Sequence, residues 1–141
     1  MKNLFCVEIV GGKGALALLA LRLAAGPAFI LHGWLKIQNA FNWMGPDGFA
    51  PSWLQALAAL AEFGGGIAIL IGFLTQLGAL GIACVMLVAI FRVHIPKGDP
   101  FVGQGSSWEL AAVYLAIMIV LILRGPGLFS LDALTCGKRK G

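Results

Sequence analysis

The sequence predicts an all-α integral membrane protein, a bundle of four transmembrane helices running up-down-up-down. Three observations predict it. Of the 141 residues, 60% are hydrophobic and 11% charged, against roughly 45–50% and about 25% in soluble domains. Mean hydropathy is +0.93. The apolar residues gather into four runs, each close to the ~20 that cross a bilayer core. The net charge of +4 does not indicate nucleic acid, because the bases punctuate apolar runs instead of lining a polar face. The lipid bilayer is the expected surrounding. The length allows one domain, residues 1–141, with short tails.

The first span reads as about 14–37, the second as about 51–74, the third as about 76–95 and the fourth as about 107–123. "QNAFNWMGPDGFA" and "PKGDPFVGQGSS" are turn-rich and form the two longer connections. Spans two and three are separated only by "TQ", which predicts a tight hairpin. Four helices with short links fold most simply as an antiparallel bundle.

Lys and Arg in the flanks set the orientation. Lys2, Lys13, Arg124, Lys138, Arg139 and Lys140 lie on the side of the termini, and Lys36, Arg92 and Lys97 on the other. Both termini of this multi-pass protein are therefore expected in the cytoplasm. Trp34, Trp43, Trp53 and Trp108 fall at the outer boundary, as an aromatic belt would. The N-terminal "MKNLFCVEIVGGKG" has a short apolar core broken by Glu8 and does not read as a cleavable signal.

Small residues recur every fourth position at Gly64, Ala68 and Gly72, and at Ala20, Ala24 and Ala28, a spacing that lets helix backbones approach in lipid. Both sets are expected as packing faces. Cys6, Cys84 and Cys136 are far apart and form no CxxC or Cys–His metal pattern. Cys84, inside an apolar run, reads as a core residue.

Ionisable side chains in a bilayer are expensive and normally face the bundle with a partner. At 100° per residue, Arg22 and Lys36 project roughly 40° apart, with His32 about 40° further round. Gly26, Phe29 and Gly33 share the side of Arg22, so one face of the first span is polar. Pro27 lies between them and frees the carbonyl of Leu23, which predicts a bend. Glu62 lies roughly 16 Å below the outer end of span two and Arg22 roughly 22 Å below that of span one. A guanidinium can bridge that mismatch, so a structural Arg22–Glu62 ion pair is expected, with Gln55 extending the network one heptad away.

Nearer the outside, His32 and Lys36 end span one, His94 and Arg92 end span three, and Glu109 begins span four. These depths allow one shared pocket, making His32, Lys36, Glu62, His94 and Glu109 the ligand-binding candidates. Plainer readings stand beside them: Lys36 and Arg92 can snorkel to headgroups, and Glu109 suits the first turn of a helix. Phosphate loops, nucleophile–base triads and metal-ligand sets are absent, so no complete catalytic site and no metal is assigned.

"HGWLKI" at 32–37, "LAEFGGGIAILIGFLTQLGALG" at 60–81, "GDPF" at 98–101, "WELAAVYLA" at 108–116 and "GPGLFSLD" at 125–132 together resemble the DoxX family of small bacterial membrane proteins. The resemblance covers almost the whole chain in order. It implies four membrane helices, an inner-membrane location and a link to redox chemistry and oxidative stress. Relatives include the DoxD subunit of a thiosulfate:quinone oxidoreductase. A mycobacterial relative is associated with superoxide dismutase and a thiosulfate sulfurtransferase. His32, Gly33 and Lys36 match the family's His-Gly-x-x-Lys pattern, and Glu62, Gly65 and Glu109 its recurrent acidic and glycine positions. Gln76 and Leu128 depart from it, standing where relatives often carry a base.

The expected function is a membrane subunit of an oxidoreductase system, binding a quinone or small sulfur compound in an outer-leaflet polar pocket. There His32 would hydrogen-bond a quinone carbonyl and shuttle protons, Lys36 would stabilise negative charge, and Glu62 with Arg22 would relay protons or fix geometry. One alternative is a non-catalytic anchor or assembly partner for a soluble redox enzyme. Another is a small-solute transporter subunit, although the sequence carries no internal repeat. A homo- or hetero-oligomer with a redox-enzyme partner is expected.

Overall fold

A computed structural model describes residues 9–136, and every described element of regular structure is helical. The helices are α1 (Gly12–Ile37), α2 (Ser52–Ile71), α3 (Thr75–Lys97), α4 (Glu109–Arg124) and a short α5 (Leu131–Cys136). Three of them, α1, α2 and α3, are long and apolar enough to cross a membrane. Helix α4 has 16 residues, roughly 24 Å of rise. Cys6, Lys2 and residues 138–140 lie outside the described part.

Most large apolar side chains point outward, among them Leu23, Leu31, Leu35, Leu57, Leu60, Leu80 and Leu123. That inversion is what helices solvated by lipid require, since acyl chains are as apolar as leucine. The core is narrow: Phe29, Ile69, Ile82, Met86, Ile90, Met118 and Leu121 fill the space between the helices.

Helices α1 and α2 are held together by glycine. A Cβ at Gly26 would stand 2.9 Å from Leu70 Cβ, one at Gly66 would stand 2.7 Å from Ile30 N, and one at Gly33 would run into the backbone of Phe63. The α2–α3 contact repeats the device, with Gly65 and Gly78 face to face. Of the two stripes expected to pack, Ala20 and Ala24 are exposed and Gly64 has only Leu60 of its own helix near it, whereas Ala68 lies against Gly78 and Gly72 against Ser130 and Arg22. Four-residue spacing of small residues marks faces that permit close approach. Which face is used is decided here by Arg22, Phe29 and Lys36, which turn the opposite side of α1 inward. Cys84 likewise faces outward and is not a core residue.

The link between α2 and α3 is Gly72–Leu74, not "TQ", since Thr75 and Gln76 already belong to α3. Gly72 caps α2 at φ 72°, and the amides of Gly72 and Phe73 both donate to Ala68 O. Leu74 is the one described non-glycine at positive φ, 50°, a conformation that costs an L-residue about 1–2 kcal/mol. Asp132 offsets it. Its Oδ1 accepts from Leu74 N at 2.9 Å and its Oδ2 from Thr75 N at 3.1 Å, capping α3. In α3, residues Ala89–His94 form a π-helical turn before Ile95–Lys97. Helix α1 runs unbroken through Pro27, whose ring lies on the exposed side.

Candidate functional site

The expected Arg22–Glu62 ion pair is not formed. Arg22, 1% exposed, spends its guanidinium on four carbonyls: Nε donates to Ile69 O at 2.7 Å, Nη2 to Leu70 O at 2.9 Å, and Nη1 to Pro126 O at 3.1 Å and Phe129 O at 2.6 Å. The reason is register. Gly26 lies against Leu70 and Gly66, so one turn further down Arg22 meets the last turn of α2. Helix ends carry unpaired carbonyls and the negative end of the dipole, which suits a buried cation. Counting depth from the outer ends overlooked this offset, which puts Glu62 roughly two turns away from Arg22.

The same corner accounts for "GPGLFSLD". Gly125 caps α4 and Gly127, at φ 79°, lies on Leu18 of α1. Pro126 and Phe129 supply carbonyls to Arg22. Ser130 Oγ accepts from Ala133 N at the start of α5, and Asp132 caps α3. Gln76, at one of the departures from the family pattern, donates to Ile122 O at 2.6 Å and ties α3 to α4.

Glu62 pairs instead with Lys36, whose Nζ lies 2.7 Å from Oε1. The glycine seam at Gly33 and Phe63 brings α1 and α2 close enough for the lysine, one turn above Gly33, to reach across. Lys36 thus turns inward and does not snorkel. Glu62 is 2% exposed and Lys36 24%. The second carboxylate oxygen, Oε2, is buried and has no hydrogen-bond partner. Leaving such an acceptor unpaired costs about 1–3 kcal/mol, more for a charged group.

Above the pair lies the 38–51 connection. Trp43 presents its ring to Lys36 Nζ at 4.4 Å from the centroid. Its indole N–H donates to Gln55 O at 2.8 Å. Gln55, expected to extend the Glu62 network, turns to this connection instead: Oε1 accepts from Met44 N at 3.0 Å and Nε2 donates to Ala50 O at 2.8 Å. A side chain at the first turn of α2 meets unpaired loop amides and carbonyls before it meets a group two turns deeper. Of the polar groups expected to converge, the structure joins Lys36 to Glu62 and adds Trp43 and Gln55 beside them.

The other candidates stand apart. His32 is exposed on α1, its ring 6.3 Å from that of Phe29, which packs edge-on against Tyr114 of α4 at 4.8 Å. Glu109 is exposed, and its amide donates to Phe101 O at the start of α4. His94 Nδ1 lies 2.7 Å from Asp99 Oδ2, which also accepts from Ser106 Oγ at 2.6 Å. The hydrogen bond from Ser106, then that from His94, holds the Asp99 carboxyl below the usual carboxylate range. The serine bonds the aspartate and not the histidine, so this is a brace for the 98–108 connection, not a nucleophile–base triad. Arg92 stacks on Phe49 at 5.7 Å. Among the described residues no three His, Cys, Asp or Glu gather as a metal site.

A family model described as DoxX matches residues 17–95. The inner membrane protein YqjF of Escherichia coli is 35% identical over 113 residues, covering 75% of this chain and 82% of that protein. An uncharacterized protein of Haemophilus influenzae is 28% identical over 114 residues, covering 79% and 85%. No solved structure matches the chain.

Proposed function

This chain belongs to the DoxX family of membrane proteins, and on that premise we propose that it is a small membrane subunit of an oxidoreductase system. It binds a quinone headgroup or a small sulfur compound at Lys36 and Glu62. The observation that carries this reading is the buried Glu62 carboxylate, one oxygen held by Lys36 and the other without a donor. An ionisable pair inside a membrane bundle is a functional candidate by default. A quinol hydroxyl or a thiol supplies the donor that Oε2 lacks, and Lys36 faces the oxygen or sulfur that gains charge. His32, in this reading, serves the ligand from the exposed side of α1 only once a ligand or partner covers it.

We further propose that α4 is a fourth span and that the helices run up-down-up-down. The registers Gly26 to Leu70, Gly65 to Gly78 and Gln76 to Ile122 support it. Cytoplasmic termini follow from the Lys and Arg bias, and an inner-membrane location from the relative's description. The test is extraction with native lipids followed by mass spectrometry of bound small molecules. Wild-type protein is expected to retain a quinone or sulfur compound that Glu62→Gln releases. Protein that carries neither, and gives no Glu62-dependent quinol oxidation with its native partners, overturns the reading.

One observation favours a second reading, that of an assembly partner for a redox enzyme. His32 is exposed beside Phe29, which packs on Tyr114 where α1 meets α4 over a short stretch. A His32→Ala variant that loses its co-purifying subunit while retaining its small molecule would select this reading.

A further inference from the structure

We infer that Trp43, latched by Gln55, is a positioning residue that holds Lys36 inward on Glu62 and closes the outer approach to the pair. Lysine near a helix end gains by extending its ammonium toward the interface, and Lys36 is in the last turn of α1. Something must offset that tendency. The pairing with Glu62 at 2.7 Å does so in part. The Trp43 ring, its centroid 4.4 Å from Nζ, adds a second attraction that holds the ammonium back from the interface.

The ring is in turn fixed. Its N–H donates to the backbone of Gln55, and the Gln55 side chain holds the connection on both sides of it, at Met44 and at Ala50. Gln55 is 4% exposed, and both of its side-chain hydrogen bonds go to this connection. Successive turns, Asn39 N to Lys36 O, Asn42 N to Asn39 O and Gly45 N to Asn42 O, carry the chain from Lys36 back over itself. Releasing Trp43 frees Lys36 to swing outward and uncovers Glu62. The entrance and the charge pair thus move together.

The experiment is acylation of the full chain in lipid nanodiscs with a water-soluble succinimidyl ester, measured by peptide mass spectrometry. The rate at Lys36 is read against that at exposed Lys97. Trp43→Leu and Gln55→Ala are expected to raise the Lys36 rate about fivefold, and Trp43→Phe, which keeps an aromatic face but loses the N–H bond to Gln55, to fall between Trp43→Leu and wild type. A rate in Trp43→Leu within about twofold of wild type, or equal rates in Trp43→Phe and Trp43→Leu, overturns the inference. Should Gln55→Ala fail to fold, the two Trp43 variants decide alone. The inference rests on the binding reading of Lys36 and Glu62, yet the labelling needs no ligand. Retained ligand with an unprotected Lys36 sinks only the positioning role, and a protected Lys36 without ligand sinks only the binding reading.

Discussion

Lys36 and Glu62 are joined across the α1–α2 seam at 2.7 Å. Removing one partner leaves the other buried and unpaired. Lys36→Met is expected to destabilise by about 2–4 kcal/mol, below the top of the range for buried pairs because Lys36 keeps part of its surface exposed. The double variant Lys36→Met with Glu62→Leu should recover most of that loss. Reversible unfolding in mixed micelles reads both, and a double variant no better than the single would show that packing, not charge, is lost.

Arg22 gives a different expectation. Its four carbonyl bonds use the planar fork of the guanidinium, which an ammonium cannot reproduce. Arg22→Lys is expected to cost about 2 kcal/mol or more despite retaining charge. Glu62→Gln should leave the effect of Arg22→Lys unchanged, because the two residues do not touch. Additivity of the two substitutions in unfolding measurements checks this.

Glycine substitutions should separate seam from surface. Gly33→Ala and Gly66→Ala force α1 and α2 apart, so both are expected to destabilise by about 1–3 kcal/mol. Gly64→Ala meets only Leu60 at 3.6 Å and should be neutral or mildly stabilising. Midpoints in the same assay rank the three. Equal losses at Gly64 and Gly66 would contradict the packing described.

The Asp99 brace has a defined pH sign. Its folded carboxyl titrates below the ordinary value, so its contribution is complete above the unfolded pKa of about 3.9. It is lost only as pH falls through the lower folded value. Fluorescence of Trp108, which stacks on Phe101 in the braced connection, should therefore hold steady down to about pH 4 and change below it. Asp99→Asn should abolish that step. A transition in the wild type that survives in Asp99→Asn belongs to another group.

Much of the fold was legible in residue chemistry. Apolar runs and turn clusters locate α1, α2 and α3 to within a few residues, because lipid demands continuous apolar helix. The partners of the charges were not legible. Arg22 and Glu62 look matched in depth when each helix is counted from its own outer end, but the Gly26–Leu70 register shifts them apart. Trp43 read as one of four belt tryptophans, and nothing in its neighbours showed that Gln55 would hold it over Lys36. Asp99 carried a signal, five residues after His94 in "GDPF", that pairing by depth alone passed over. Register between helices is set by side-chain fit, and single-helix periodicity contains little of it.

The Arg22 corner also bears on the order of assembly. Arg22 emerges early in synthesis, whereas Pro126 and Phe129, which take two of its four hydrogen bonds, emerge more than a hundred residues later. Until then the Arg22 guanidinium lacks two of its four acceptors. The arrival of residues 126–132 closes the guanidinium and caps α3 in one event.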